Sequence, residues 1–217
     1  MNHDNGAPPD PAPQRLSFAE DEERFDWLPA LLDAYHILDQ GVAEGIRRQQ
    51  RQGRRLACAR GCAACCRSHK DIPVYPLELV GMTWYAVEKV QGETRQRLKA
   101  QLGNAREGGG CPFLVDEACS IHPMRPFACR QFNVFDRVCA EGEDAYHTRP
   151  RDVMQPLKDY TDRAFDATLP FYGLTRKADR KRAIKTGAMH RMVRTLSGCN
   201  WGSVAQKMEE YDNQSSK

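Results

Sequence analysis

The sequence lacks any run near the ~20 apolar residues that a helix needs to cross a bilayer. Its start lacks the basic-then-apolar order of a secretory leader. Met1 to Gln14 instead hold four prolines and no apolar stretch. A surplus of one charge is lacking too. The 32 Lys and Arg against 29 Asp and Glu leave a net +3, so bulk charge selects neither nucleic acid nor an acidic partner. Aromatic residues make up 8% and show no base-stacking pattern. Gly108–Gly110 lacks the strand-and-helix context of a nucleotide-binding loop and reads as a linker. These absences lead us to expect a cytoplasmic chain with no membrane span. Its 217 residues are enough for one core without help from disulfides.

What the sequence does have is cysteine. There are nine, an odd number that fits a closed disulfide framework poorly. In a reducing compartment, clustered cysteines bind metal or do redox chemistry. Cys58, Cys62, Cys65 and Cys66 fall within nine residues, and Cys111, Cys119 and Cys129 follow. Thiolates are soft ligands that select zinc, copper(I) or iron–sulfur clusters. The gap between Cys62 and Cys65 is typical of both zinc and iron–sulfur sites. Adjacent side chains diverge, so Cys65 and Cys66 do not readily bind one tetrahedral ion. They suit different metals of a polynuclear site, or one of them stands behind the ligands. Seven clustered thiols exceed the four that a structural zinc needs. The expected metal ligands are therefore Cys58, Cys62, Cys65, Cys66, Cys111, Cys119 and Cys129. Arg125 and Arg130 are expected beside the bound group, offsetting thiolate charge or fixing the loop. Cys139 is left open as a ligand. The isolated Cys199 reads as a small buried hydrophobe.

The rest of the chain reads as mainly α. A single helical domain is expected over 21–200, with a small irregular or β-hairpin cysteine-rich metal-binding element inside it. Residues 1–20 read as a disordered tail and 201–217 as a tail or short helix, with Ser203 as its N-cap. From about Asp21, Phe25, Leu28, Leu32, Tyr35, Leu38, Val42 and Ile46 form one helical stripe, which Gly41 and Gly45 weaken. Asp71–Pro76 reads as extended, with Pro76 opening a helix that carries Leu77, Val80, Trp84 and Val87. Further helices are expected over 93–106, 152–168 and 176–196.

Several other chemistries compete. Cys58, Cys62 and Cys65 have the spacing of the radical S-adenosylmethionine signature, but Ala64 stands where that motif has an aromatic. Helices also follow where it needs repeated βα units. His69 and His122 lie three residues from cysteines, yet no orienting third group completes a nucleophilic site. Arg176–Arg194 carries eight Lys and Arg and one acid, which would suit phosphates. Near-neutral overall charge ranks that reading below a solvated face.

The run Cys58-x-x-x-Cys62-x-x-Cys65-Cys66 is followed by Cys111-Pro112-Phe113-Leu114, Cys119, Ile121-His122, Arg125-Pro126 and Cys129-Arg130. This resembles the YkgJ-like cysteine-cluster family of zinc- or iron-chelating domains over residues 58–132, with His122 where many members have tyrosine. The resemblance implies metal chelation by an iron–sulfur or zinc protein. It supplies no reaction, although flagellin lysine methylases carry a similar module. The sequence thus leads to a metal-binding protein that holds an iron–sulfur cluster, with zinc as the alternative. A metal ion or cluster is the expected partner, with room for an unidentified protein.

Overall fold

The helix expected from about Asp21 divides into Ala19–Arg24 (α1) and Trp27–Arg51 (α2), and the apolar stripe from Leu28 to Ile46 lies on α2. The computed structural model describes residues 12–106 and 108–215. In it α2 buries Leu28, Leu31, Leu32, Tyr35 and Leu38, at the spacing that puts residues on one helical face. Extended backbone at Phe25 separates the two helices.

A short helix, Ala64–Ser68 (α3), and a two-residue strand, Pro73–Val74 (β1), lead into Pro76–Trp84 (α4). Pro76 opens α4 as its fixed φ favours. A π-helical turn over Tyr85–Lys89 continues it, and Gly92–Gly103 (α5) follows. Leu114–Val115 (β2) and Ala118–Cys119 (β3) form an antiparallel hairpin that pairs Leu114 with Cys119. The chain then runs through Phe127–Gln131 (α6), Ala145–Thr148 (α7), Lys158–Thr168 (α8) and Lys177–Thr186 (α9). Arg194–Thr195 (β4) pairs antiparallel with β1, and Trp201–Ser215 (α10) ends the described chain. No helix among the described residues is long and apolar enough to cross a membrane.

Two apolar clusters hold these elements. In the first, Leu28, Leu31 and Tyr35 of α2 meet Leu77, Phe127 and Phe165. In the second, Leu98 and Leu102 of α5 meet Phe113, Trp201, Val204 and Met208. Glu78 ties the helices together from inside. Its carboxylate is 1% exposed and accepts from Tyr75 N at 2.8 Å and Phe127 N at 2.5 Å. It thereby satisfies free N–H groups at the starts of both α4 and α6.

Several expectations change. Gly41 and Gly45 are close-approach positions rather than weak points. A Cβ at Gly41 would lie 2.6 Å from Tyr160 Cβ on α8, and one at Gly45 would lie 2.7 Å from Met154 Sδ. Residues 1–11 of the expected tail lie outside the described residues. The described part does not behave as a tail: Leu16 and Phe18 pack on the first cluster, and Arg15 pairs with Glu22 at 2.8 Å. The helix expected over 152–168 starts only at Lys158. The one expected over 176–196 stops at Gly187, whose φ of 64° is left-handed and suits glycine. The last helix starts at Trp201, and Asn200 Oδ1 rather than Ser203 accepts the first-turn N–H, from Ser203 N at 3.2 Å. With Trp201, Val204 and Met208 buried, α10 belongs to the core.

Candidate metal centre

Cys58 is placed by a scrap of β pairing. Leu56 bridges Phe135, Ala57 N donates to Val134 O at 2.8 Å, and Val134 N donates to Cys58 Sγ at 3.3 Å. A turn then brings Cys62 N to Ala59 O at 3.0 Å and leaves Cys62 exposed. Cys65 and Cys66 follow on α3. Successive helical residues point ~100° apart, yet these two thiols stay close enough to hydrogen-bond to each other, so the divergence expected of adjacent side chains does not separate them.

The second set of thiols is docked on the first through the backbone. Cys111 N donates to Cys66 O at 3.0 Å. The hairpin carries Cys119 back over the same segment. Its turn residues, Asp116 and Glu117, have φ of 48° and 61°, the left-handed pair that a tight hairpin requires. Neither is glycine, and each carboxylate is anchored by an arginine, Arg97 for Asp116 and Arg67 for Glu117. Cys129 lies on α6, whose start Glu78 caps.

The thiols interact in a definite pattern. Cys65 donates to Cys66, which is the largest cause pushing the Cys65 thiol far above its usual range, with burial next. Cys66 donates to Cys111 and is pushed up to about 12. Burial raises Cys129 well above the usual thiol value, and the nearby sulfurs of Cys65, Cys66 and Cys119 add to it. Burial also raises Cys58, Cys119 and Cys139. Cys58 and Cys139 each sense Cys62 and Cys65. The sulfurs thus form two groups, with Cys58, Cys62 and Cys139 on one side and Cys66, Cys111, Cys119 and Cys129 on the other. Cys65 reaches both.

The seven cysteines expected as ligands are thus linked as a chain of neighbours through Cys65, with Cys139 beside Cys62 at one end. Arg149 fixes its position, with Nη2 3.6 Å from Cys139 Sγ while Glu143 and Asp152 hold the guanidinium at 2.8 and 2.9 Å. The place of Cys139 ten residues after Cys129 leaves this open in the sequence. Cys199 stays apart and donates to Thr195 O at 3.4 Å.

The arginines differ. Burial and then Arg130 push the Arg125 guanidinium below its ordinary value, while Asp39, Cys119 and Cys129 favour its charge. Arg130 is 3% exposed and structurally committed. It pairs with Asp39 at 2.8 Å, donates to Arg125 O at 3.0 Å and stacks 3.8 Å from the Tyr35 ring centroid. His122 lies 2.7 Å from Arg125 through Nε2 and is held at about 4 by burial and then by Arg125, so its ring is neutral. His69 packs edge-on against Phe132 at 4.4 Å. Its Nε2 lies 3.2 Å from Asp144 Oδ1, off the hydrogen-bonding axis. Asp144 is 75 residues on, so nothing in the sequence links the two.

As they stand, no three Cys, His, Asp or Glu side chains among the described residues are arranged to hold one ion. The donor chemistry nevertheless fits a soft metal. Cys58, Cys65 and Cys119 sulfurs each accept a backbone N–H, the contact that stabilises a thiolate. The thiols also raise one another, so a cation among them is what would let several ionise together.

A family model, CxxCxxCC, described as "Putative zinc- or iron-chelating domain", matches residues 57–153. The match covers 97 of the 217 residues and eight of the nine cysteines, so this segment is similar to that family. No curated protein and no solved structure matches the chain. The CxxCxxCC domain starts one residue before Cys58 and ends at Val153, which bridges Val134. It runs past the module boundary at residue 132 drawn from sequence and takes in Cys139. Metal binding by this chain rests on that domain.

Proposed function

We propose that the CxxCxxCC domain holds an iron–sulfur cluster and that the protein works in redox or cofactor chemistry. The observation that carries this reading is the position of Cys65 between two groups of thiols. Eight neighbouring sulfurs sharing one member suit several metal atoms better than one four-coordinate ion. Cys58, Cys62, Cys65, Cys66, Cys111, Cys119 and Cys129 would be the ligands, with Cys139 as an eighth donor. When bound, such a cluster supplies one-electron transfer or a Lewis-acidic iron. The chain's own residues do the rest. The N–H groups of Val134 and Ile121 stabilise the Cys58 and Cys119 thiolates, and Arg125 offsets charge at Cys119 and Cys129. Arg130 holds the Pro123–Arg125 loop, and its charge also favours the Cys119 thiolate.

The test is metal and acid-labile sulfide analysis with a visible spectrum on protein purified without oxygen. Iron with sulfide and broad charge-transfer absorbance is the expected result. Stoichiometric zinc and no colour would overturn the cluster and leave a zinc-bound structural or interaction module.

A further inference from the structure

Two segments of this chain are strongly basic, and the fold treats them differently. Arg47–Arg60 is mostly paired with acids, at four of its six arginines, although three of these share the single carboxylate of Glu44. Glu44 pairs with Arg47 at 3.1 Å, Arg48 at 2.7 Å and Arg51 at 3.5 Å, and Arg54 sits between Asp136 and Asp152 at 2.8 and 3.3 Å. The second segment, residues 176–194, is not. On α9 only Arg180 and Arg182 find acids, Asp166 at 2.9 Å and Asp179 at 3.3 Å. Arg176, Lys177, Lys181, Lys185, Arg191 and Arg194 are exposed and have no ion pair among the described residues.

We propose that the exposed face of α9, continued by the segment to Arg194, binds the phosphate backbone of a nucleic acid. Lys177, Lys181 and Lys185 recur every four residues, which places them on one line of the helix about 6 Å apart along its axis. Ala183 is buried on the opposite side, and Ile184 packs on the first apolar cluster. The orientation of the lysine line is therefore fixed by the core. Six uncompensated cations on so short a surface repel one another, and a polyanion removes that repulsion. The near-neutral net charge of the whole chain hides this, because its acids lie elsewhere.

The lysine line, rather than the three arginines beside it, favours phosphate. Lysine is depleted in protein–protein interfaces but serves phosphate as a strongly hydrated point charge. No Phe, Tyr or Trp falls within 176–194 to stack on bases, so the binding is to backbone and independent of sequence. The proposal stands apart from the metal reading.

The experiment uses the full chain with its native metal content. Fluorescence anisotropy would measure binding to a labelled 20-base-pair duplex and to a 20-nucleotide RNA at 50 and 200 mM KCl. With about six phosphates contacted, affinity for duplex should fall roughly 1,000-fold between those salts. Two matched triple variants remove three charges each: Lys177→Gln/Lys181→Gln/Lys185→Gln, and Arg47→Gln/Arg48→Gln/Arg51→Gln. The first should lose at least about tenfold at 50 mM KCl with unchanged helicity, while the second stays close to the parent. No binding at 50 mM KCl, or equal losses in both variants, would overturn the proposal. So would tighter binding to poly-glutamate than to either nucleic acid, which would assign the face to an acidic protein.

Discussion

Cys65 is the residue on which the two thiol groups depend, and its replacement should be felt by both. Cys65→Ser is expected to abolish bound metal, whereas Cys199→Ser should keep the full complement, as metal analysis of the purified variants will report. Glu78 makes a different prediction. Burial holds its carboxyl at about 7 instead of 4.5, against the opposing pull of two N–H donors and Arg130. The folded chain thus retains a proton that the unfolded chain releases. That contribution to stability is complete below pH 4.5 and is lost as pH rises through about 7. It amounts to roughly 3 kcal/mol by the shift. The stability of the parent relative to Glu78→Gln should therefore fall between pH 5 and 7 in urea titrations. A constant difference would show that Glu78 does not titrate there. The variant keeps one acceptor oxygen for two backbone donors, so some loss at every pH is expected as well.

At the scale of elements, the crossing of α2 and α8 turns on Gly41. Gly41→Ala must push Tyr160 away or move α8, and should cost about 1–3 kcal/mol of unfolding free energy in denaturant titration. This position also shows where sequence reading stops. The stripe from Leu28 to Leu38 was legible because a helix repeats its buried face every three or four residues. By propensity alone the glycines read as weak points, because what passes over Gly41 and Gly45 comes from 119 and 109 residues further along. The same limit explains α10: its apolar face is short, and its partner Phe113 lies in the cysteine segment, 4.7 Å from the Trp201 ring. The cysteine spacings were legible because each cluster is local. What the spacings could not give was the arrangement between clusters, including the docking of Cys111 on Cys66 and the entry of Cys139 beside Cys62.

For the whole molecule, a metal held by these thiols would cross-link the second apolar cluster to a third, small one of Val134, Ala145 and Val153. Cys111, Cys119 and Cys129 pack against the cluster of α5 and α10, while Cys58 and Cys139 pack with Val134, Ala145 and Val153. Removing the metal should therefore loosen the connection more than either cluster. We expect chelation to lower the thermal midpoint and to open residues 57–153 to proteolysis before α2 and α8 separate, as timed digestion with mass mapping will show.

Ligand order along the chain has a further consequence, for synthesis. All eight neighbouring thiols, from Cys58 to Cys139, precede α8, whose Phe165 covers the same core as α2. At the ~5–20 residues per second of translation, α8 begins to emerge about one to four seconds after Cys139. During that interval the nascent chain already carries every sulfur of the centre, while the face of α2 that α8 will cover is still open. On the proposed ligand set, every metal-binding sulfur is thus available before the fold has closed.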